Sequence, residues 1–385
     1  DGRHHTFAQF GSGTFVPGVK TFLSRFMVLH PTALLVEGET LQNKGLPDVF
    51  SRLRISDQAL VITPFHQAAN HLRELQRGDG RHGSCGVGVG ETVEDALAFP
   101  EAAVLAGDLA HPARLRQKLL FIREQKRRQI LALYKNTTLS AGAAEEWLIL
   151  ESDEVVENWL SAIRRFNRLG LVVSDALLKH WLQQADAVVF EGAQGVLLDA
   201  AGGFHPYTTW SNCTTENARL LIDQLAPGSP TTSIGVLRSY TVRHGPGPLP
   251  ASDDVLKTFS REHNRYNPWQ GEVRYAWFDA LLTRYALSLT GKLDFLAVTH
   301  LDILPHLPAW KYAAAYRAAP DVQALLSGAA EGSDLVTAIN PPLSLATRED
   351  FSRALSQAVP VLESCPTNET AVLQRMEQLL SLPVG

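Results

Sequence analysis

The sequence predicts an α/β fold in which a large, mostly parallel central sheet is flanked by helices. Two observations lead to this prediction. Short apolar runs rich in β-branched residues alternate with longer segments of helical periodicity, which is typical of parallel sheets. With 385 residues, of which 45% are hydrophobic, the chain can bury a large core. No internal repeat and no clean linker divides it, so we predict one domain over residues 1–385.

The predicted elements follow one another along the chain. Candidate strands cover residues 26–29, 60–63, 188–190, 232–237 and 293–298. Residues 188–190 and the two later runs are continuously apolar, which indicates strands buried on both faces. Helical periodicity marks residues 32–43, 66–76, 113–135 and 276–289, and a pair of helices within 151–185.

Composition and charge exclude several classes of protein. The net charge of -5 and the pI near 6.2 provide no broad basic field, so we expect no nucleic-acid partner. No apolar run is long enough to cross a bilayer, so we expect no membrane partner. Cys85, Cys213 and Cys365 are odd in number and lack Cys-x-x-Cys spacing, which favours a reducing cytoplasm over a disulfide framework or a zinc site.

The most informative motif is FEGAQGVLLD at residues 190–199. Gly192 and Gly195 bracket Gln194, so the backbone can turn tightly and a ligand can approach closely. At the carboxyl end of a strand, where open α/β sheets bind ligands, the carboxamide of Gln194 offers two donors and an acceptor. A plain strand-to-loop turn is the alternative. The run resembles the adenylosuccinate synthetase family, which has FEGAQGxLLD at this point.

The resemblance extends from the first residues to near the C-terminus and implies a P-loop NTPase-like fold. It also implies a GTP-dependent carbon–nitrogen ligase of purine biosynthesis. Members of the family phosphorylate the 6-oxygen of IMP with GTP and then displace the phosphate with the amine of L-aspartate. A purine oxygen leaves readily only as a phosphate, whose charge must be neutralised. By likeness we expect a homodimer, GTP as co-substrate, Mg²⁺, and Gln194 as the catalytic residue beside the purine.

The segment HGSCGVGVG at residues 82–90 resembles the family's GTTGxGIGP. The likeness implies that Ser84, Cys85 and backbone N–H groups bind the nucleotide monophosphate. Cys85 replaces a Thr of the family, and Glu91 lies close to the place of its Pro. The family's interfacial Arg has no counterpart in residues 99–102. These departures imply a weaker or differently arranged phosphate site.

Two further segments resemble parts of the substrate site. GFHPYTTWSN at residues 203–212 implies that Thr209 helps to hold the IMP phosphate, while helix capping is the alternative for Thr208 and Ser211. YTVRHGPGPLP at residues 240–250 implies that Arg243 is a substrate-binding residue in a rigid loop. A surface salt bridge is the alternative for Arg243.

The segment NRYNPWQGEVRY at residues 264–275 departs most from the family, which has TTGRxRR in a loop that closes over the aspartate carboxylates. Only Gly271 and Arg274 are kept, and both are predicted to bind substrate. Glu272 replaces the first Arg, and a carboxylate aimed at a dicarboxylate would repel it. Three alternatives follow: Glu272 points away, the amine is not aspartate, or the loop only packs around Trp269.

The segment THLD at residues 299–302 resembles the family's TKLD, which recognises guanine. The likeness implies that Asp302 accepts hydrogen bonds from the guanine N1–H and 2-amino groups and that His300 covers the purine face. Helix capping is the alternative for Asp302. SCPT at residues 364–367 resembles the family's SxGP without its glycine, which implies that Ser364 and Pro366 also contact the nucleotide.

Two family motifs are absent from the sequence. The phosphate loop GDEGKGK supplies a general-base Asp and the magnesium site in the family, and a later GHT supplies a general-acid His. The likeness places Asp1 close to GHT, and residues 1–5 read as a hairpin turn that enters a strand. We therefore expect the first strand, the phosphate loop and the Mg²⁺ site to precede Asp1. The alternatives are a paralogue that uses another amine or purine nucleotide, or a non-catalytic nucleotide-binding relative.

Overall fold

A computed structural model describes residues 2–259, 266–327, 334–340 and 344–385. The chain splits into two compact units. The first comprises Asp1–Glu191 and Leu220–Pro227, and the second comprises Gly192–Arg219 and Gly228–Gly385. The single domain predicted over residues 1–385 stays a prediction.

The first unit is built from seven helices and five short strands within its described residues. The helices are α1 Pro31–Asn43, α2 Pro64–Arg77, α3 Val89–Ala98, α4 Pro112–Leu133, α5 Ala141–Glu151, α6 Asp153–Asn167 and α7 Asp175–Gln184. The strands are β1 Thr21–Leu23, β2 Val28–Leu29, β3 Leu53–Ser56, β4 Leu60–Val61 and β5 Val172–Val173. Strands β1, β3 and β5 form one parallel sheet, and β2 and β4 form another.

Helix α2 shows how the local sequence sets an element of this unit. Pro64 occupies the first helical position, where a missing N–H costs nothing. The Thr63 hydroxyl accepts a bond from His66 N, and the His66 ring nitrogen Nδ1 accepts one from Thr63 N, so both ends of the capping box are satisfied. Phe65 and Leu72 lie on one face of the helix, and both are fully buried in the core. The cap and the apolar stripe together fix where α2 starts and which face it buries.

Helix α8 covers Glu216–Leu225, of which the part from Leu220 onwards belongs to the first unit. The remaining helices and strands belong to the second unit. Its helices are α9 Val255–Phe259, α10 Ala280–Thr290, α11 Pro320–Ser327, α12 Arg348–Gln357 and α13 Glu369–Leu380. Its strands are β6 Ile234–Arg238, β7 Thr241–His244, β8 Tyr266–Asn267, β9 Gly271–Ala276, β10 Phe278–Asp279, β11 Phe295–Thr299, β12 Trp310–Arg317, β13 Leu335–Val336 and β14 Val359–Cys365.

The second unit mixes parallel and antiparallel pairing. Strands β6 and β11 pair in parallel over Ile234–Arg238, and β10 pairs with β12 in parallel. Strand β12 pairs antiparallel with both β13 and β14, and β9 pairs antiparallel with β7 and β8. A core of buried aromatic and aliphatic side chains, including Trp277, Trp310 and Tyr316, packs beneath these strands.

The alternation of helices with parallel strand pairs confirms the α/β class, and the predicted helices agree with α1, α2, α4, α6, α7 and α10 to within a few residues. The predicted single large sheet is wrong for the described residues, whose strands form five small sheets. The apolar runs at residues 232–237 and 293–298 form strands, but the prediction that both faces are buried is wrong, since Val236 is 69% exposed and Phe295 38%. The predicted buried strand at residues 188–190 is also wrong. No strand forms there, and Val189 is 88% exposed. Without a neighbouring strand to pair its N–H and C=O groups, an apolar run gains nothing from extended pairing.

The predicted hairpin at the start of the chain is not formed either. Asp1 lies outside the described residues, and residues 2–7 contain no strand. The Glu37 carboxylate accepts bonds from Ala8 N and Gln9 N, each at 2.8 Å, and lies 3.4 Å from His5 Nε2. The segment is therefore tied to helix α1 by a side chain and not by strand pairing.

A buried carboxyl group connects two elements of the second unit. Asp279 accepts bonds from Leu281 N at 3.1 Å and Leu282 N at 3.0 Å, so it caps α10, and its second oxygen accepts one from the Tyr316 hydroxyl at 2.7 Å. Burial raises the pKa of Asp279 to about 6, against the effect of the hydrogen bonds, which favour the charged form. The folded protein therefore binds more protons than the unfolded chain between about pH 4 and pH 6.

We predict that Asp279→Asn removes a pH-dependent part of the stability. The Asn oxygen can still accept from the α10 amides, and its nitrogen can donate to Tyr316. The contribution of Asp279 falls as pH rises through the folded pKa, by roughly 3 kcal/mol for a shift of about two units. Urea unfolding of both proteins at pH 4, 5, 6 and 7 should show the wild-type advantage shrinking up to pH 6 and then staying constant. A difference that does not change with pH would contradict the prediction.

Candidate nucleotide-binding site

The glycine segment, which we define as Gly83–Gly88, lies along helix α2. The Glu74 carboxylate accepts a bond from Gly83 N at 3.0 Å, and the Asn70 side-chain oxygen accepts one from the Ser84 hydroxyl at 3.0 Å. Residues 67, 70, 71 and 74 have the i, i+3, i+4, i+7 spacing of one helix face. The segment therefore runs antiparallel to α2 on a polar stripe.

The close approach of the segment to α2 requires glycine at its last position. A Cβ atom at Gly88 would lie 2.8 Å from Gln67 N, and Gly88 has a φ of +92°. His71 Nε2 lies 2.7 Å from the carbonyl oxygen of Gly86, which also has a positive φ. Side chains larger than hydrogen would push the segment off the helix.

The amide groups of the glycine segment form a suitable site for an anion. The N–H groups of Cys85, Val87 and Gly88 donate no hydrogen bond within the described part of the chain. Helix α3 follows at Val89, with Gly88 as an N-cap that makes no side-chain capping bond. Free amides at a helix start, together with positive-φ glycines, favour phosphate or carboxylate groups.

Beneath this site, a buried ion-pair network holds the first turns of α3. Lys126 is fully buried, and its Nζ lies 2.7 Å from a Glu91 oxygen and 2.8 Å from an Asp95 oxygen. Arg73 Nε lies 2.7 Å from the other Glu91 oxygen, and His66 Nε2 lies 3.2 Å from Asp95. Burial lowers the pKa of His66, and its Nδ1 accepts a bond from Thr63 N, so the ring is neutral. The network joins α2, α3 and α4.

Ser84 and Cys85 are the predicted phosphate-binding residues of the first unit. Ser84 is half-buried, and its hydroxyl proton is used in the bond to Asn70. Cys85 is exposed and forms no disulfide. Both residues belong to the first unit, whereas Gln194, Thr209, Arg243, Gly271, Arg274, His300, Asp302, Ser364 and Pro366 belong to the second.

In the second unit, one buried carboxylate holds the loop that carries Thr209. Asp199 accepts bonds from Ala201 N and Gly202 N at 2.8 Å and from Cys213 N at 2.7 Å. Sequence reasoning assigned no role to Asp199, although Asp beside a glycine pair is typical of side chains that bind nearby backbone amides. Thr209 is half-buried, its N donates to Leu198 O at 2.8 Å, and its hydroxyl lies 3.4 Å from that of Ser211.

Gln194 lies in an exposed turn ahead of this loop. Its φ is +60°, which is uncommon outside glycine and marks a tight turn. The Cys213 thiol donates to the Gln194 side-chain oxygen at 3.9 Å, which leaves the amide N–H groups directed elsewhere. The predicted strand before Gln194 is not formed, so the turn alone presents this carboxamide.

A pocket of about 230 Å³ lies beside the same loop. Asp199, Asn212, Tyr285 and Arg348 are among its lining residues, and none of the predicted site residues line it. The predicted site residues of the second unit therefore lie on strands and loops outside this pocket.

Two arginines lie opposite each other on the antiparallel strands β7 and β9, where Arg243 pairs with Arg274. Arg243 donates to Pro246 O at 2.8 Å and Tyr207 O at 3.1 Å. Arg274 donates to Gly245 O at 2.9 Å and Gly247 O at 2.6 Å. Both guanidinium groups thus hold the main chain of the glycine–proline loop.

The surroundings of these arginines are those of a site for negative charge. Arg243 is 8% exposed, so the alternative of a surface salt bridge is wrong. Burial, together with the neighbouring charge of Arg274, lowers the pKa of Arg243 to about 10. Neither residue has a carboxylate partner in the described part of the chain. Two adjacent cations without a counter-charge favour an anionic ligand.

Gly271 is the first residue of strand β9 and has a φ of +87°. The next residue is Glu272, whose carboxylate would repel a dicarboxylate substrate if it pointed at it. The Glu272 side chain is 66% exposed, and Lys257 Nζ donates to it at 2.9 Å. Solvent and Lys257 therefore screen this carboxylate. Residues 260–265 of the same loop lie outside the described residues.

His300 and Asp302 follow the carboxyl end of a strand, β11, as predicted, and β11 pairs in parallel with β6. His300 has a φ of +58°, its carbonyl accepts a bond from the Ser239 hydroxyl at 2.6 Å, and its ring packs edge-on against Tyr240. Asp302 is exposed in the turn Leu301–His306. The carboxyl ends of parallel strands are where α/β sheets bind ligands.

A chain of contacts relates this edge to the last predicted segment. Trp310 Nε1 donates to Ser239 O at 2.6 Å, and Trp310 pairs with Cys365 across strands β12 and β14. Ser364 is exposed in β14, and Pro366 follows its end. The structure therefore ties the segments of His300 and Ser364 to a common residue, Trp310.

The described residues offer neither a cluster of metal-ligating side chains nor a membrane-spanning helix. No group of three or more His, Cys, Asp or Glu side chains within these ranges is close enough together to hold a metal ion. No helix in the part of the chain that the structure describes is long and apolar enough to cross a membrane.

Parallel strands that end in polar loops, together with an open helix start, define an α/β protein with ligand-binding loops. The chain belongs to the adenylosuccinate synthetase family, whose model, described as Adenylosuccinate synthetase, matches residues 1–385. This membership confirms the resemblance and the predicted reaction class, a GTP-dependent carbon–nitrogen ligase of purine biosynthesis.

Individual proteins agree with this assignment. A protein of Legionella pneumophila (strain Lens) named Adenylosuccinate synthetase is 32% identical over 390 residues, which cover 97% of this chain and 82% of the relative. A protein of the same name from Azotobacter vinelandii (strain DJ) is 29% identical over 391 residues, covering 100% and 85%. The structure of fully ligated adenylosuccinate synthetase from Plasmodium falciparum matches with a TM-score of 0.68 at 18% identity, covering 97% of this chain and 83% of that one, and supports the fold.

Proposed function

We propose that the chain joins L-aspartate to IMP at the expense of GTP, through a 6-phosphoryl intermediate. The observation that carries the proposal is the glycine segment, whose free amides meet the start of α3. A nucleoside monophosphate supplies the dianion that such a site favours. Membership in the family supports the identity of the nucleotide and of the amine.

In this proposal the phosphate of IMP is held by the amides of the glycine segment, with Ser84 and Cys85 beside it. The resemblance to the family also makes Thr209, in the second unit, a candidate substrate-binding residue. Gln194 contacts the reacting edge of the purine, where charge develops on the 6-oxygen as it is phosphorylated. Its carboxamide is exposed, and the bond from the Cys213 thiol to its oxygen leaves two N–H donors for the substrate.

L-Aspartate is assigned to the arginine pair, with Gly271 beside it. A guanidinium has five N–H donors, and the backbone bonds use two on Arg243 and two on Arg274. The remaining donors can form charge-assisted bonds with a carboxylate. The exposed, paired Glu272 supports the alternative in which it points away from the substrate.

GTP is assigned to the carboxyl end of β11. Asp302 accepts bonds from the guanine N1–H and 2-amino groups, His300 lies against the base, and Ser364 and Pro366 border it. Mg²⁺ accompanies the triphosphate in the proposal, and no described residue is assigned to it. A P-loop NTPase-like fold, a single domain, a homodimer, a cytoplasmic location and the absence of nucleic-acid or membrane partners are predictions that belong to the same proposal.

The direct test is turnover. The full-length protein is incubated with IMP, L-aspartate, GTP and Mg²⁺, and mass spectrometry follows adenylosuccinate and GDP, while calorimetry measures IMP binding separately. We expect both products in equal amounts. Binding of IMP without turnover would support the non-catalytic alternative, and turnover with another amine would support the paralogue. If the protein neither binds IMP nor turns over any amine, the ligase, the non-catalytic relative and the paralogue are all contradicted.

We predict that Asp302→Asn changes the base preference of the triphosphate site. The Asn oxygen can still accept from N1–H, but its amide group opposes the 2-amino group of guanine and matches the 2-oxo group of xanthine. The KM for GTP should rise by at least about tenfold and that for XTP should fall, because a buried mismatch of donors is costly. Steady-state kinetics at saturating IMP and aspartate measure both. An unchanged ratio would remove Asp302 from the site.

We predict that Arg274→Gln raises the KM for L-aspartate by about tenfold or more, because it removes one of the two charges assigned to the carboxylates. The matched control is Glu272→Gln on the same strand, which should change this KM by less than about threefold, since its charge is exposed and screened. Equal effects of the two variants would contradict the assignment of aspartate to the arginine pair.

A further inference from the structure

His71 lies between two hydrogen-bond acceptors. It is buried on α2, with Nε2 at 2.7 Å from the carbonyl oxygen of Gly86 and Nδ1 at 2.7 Å from the Oε1 atom of Glu146 on α5. The second oxygen of Glu146, Oε2, is buried and has no hydrogen-bond partner in the part of the chain that the structure describes. The other oxygen of Glu146 contacts His71.

The protons in this arrangement can be counted. A carbonyl oxygen only accepts, so Nε2 must carry a proton. Nδ1 faces a carboxyl oxygen, so a proton must also lie between Nδ1 and Glu146, on one of the two groups. Bonds of this kind are short and about twice as strong as neutral ones, so Glu146 fixes the orientation of the ring.

The direction of one amide in the glycine segment follows from the His71 contact. The peptide unit that links Gly86 to Val87 is planar and trans, so its C=O and N–H groups point in opposite directions. His71 holds the Gly86 C=O towards α2. The N–H of Val87 therefore points away from α2, on the open side of the segment, and it donates no bond within the described residues.

We propose that His71, oriented by Glu146, is a positioning residue that aims the Val87 N–H at the phosphate of the nucleoside monophosphate. The inference rests on the proposed function, in which the glycine segment binds IMP. His71 itself does not touch the substrate. Its effect is to hold the peptide plane in one orientation before binding, so that the amide loses no orientational freedom when the phosphate arrives.

The experiment compares His71→Leu with a control on the same helix. The Tyr134 hydroxyl donates to Leu72 O at 2.7 Å, so Tyr134→Phe removes one bond to α2 without a contact to the glycine segment. We expect His71→Leu to raise the Kd and KM for IMP by about tenfold or more while kcat changes by less than about threefold. Tyr134→Phe should leave the Kd for IMP unchanged.

A second pair of variants keeps the test decisive if His71→Leu does not fold. In Glu146→Gln the amide nitrogen can donate to Nδ1 of a neutral His71, whose Nε2–H still reaches Gly86 O. In Glu146→Leu the carboxylate that contacts Nδ1 is lost. We expect Glu146→Leu to raise the Kd for IMP more than Glu146→Gln does. We also expect faster amide exchange of residues 83–88 in Glu146→Leu and His71→Leu, but not in Glu146→Gln or Tyr134→Phe.

The outcomes distinguish a failure of the inference about His71 from a failure of the proposed function. Wild-type protein that does not bind IMP would overturn the proposed function and this inference with it. Wild-type binding that His71→Leu and Glu146→Leu leave unchanged would overturn the inference alone. An equal loss of binding in His71→Leu and Tyr134→Phe would show a general effect on α2 and would also overturn it.

Discussion

Hydrogen bonds between polar side chains and the main chain hold three loops that carry or adjoin predicted site residues. His71 and Glu74 bind the glycine segment, Asp199 binds three amides of the loop around Thr209, and the arginine pair binds the carbonyls of residues 245–247. Buried main-chain groups need partners, and loops cannot supply them through a ladder. The loops are therefore rigid because specific polar side chains reach them, and their shapes depend on few residues.

This arrangement also explains why the charges sit where they do. The carboxylates that hold amides, such as Asp199 and Glu74, are buried with their oxygens occupied. The guanidinium groups of Arg243 and Arg274 bind carbonyls and keep further donors. Backbone bonds thus fix the orientation of both cations, and a ligand carboxylate meets groups that are already in place.

Much of the fold could be predicted from the sequence, because periodicity and capping are local. Helices α1, α2 and α4 and strands β6 and β11 were found in this way, and the last pair placed His300 and Asp302 correctly. The strand at residues 188–190 was not, because a strand needs a neighbour that periodicity does not reveal. The contacts of Arg243 depend on residues 36 and 3 positions away and could not be read from either segment alone.

The role of His71 was missed although a signal exists. Polar residues at 67, 70, 71 and 74 form one stripe on a helix whose opposite face is apolar, which is also the pattern of an ordinary solvated face. Only the position of Gly83–Gly88 distinguishes the two. Asp199 is a similar case, since its amide partners extend over a loop that ends at Cys213.

The ion-pair network under α3 bears on how this chain could have diverged from its relatives. Glu91 lies near the place of a family proline, and it binds Lys126, which is fully buried. A buried ammonium that loses one carboxylate costs several kcal/mol, so neither residue can change alone without loss. Glu91 and Lys126 should therefore be inherited together, and a lineage that replaced one of them would have had to replace the other as well.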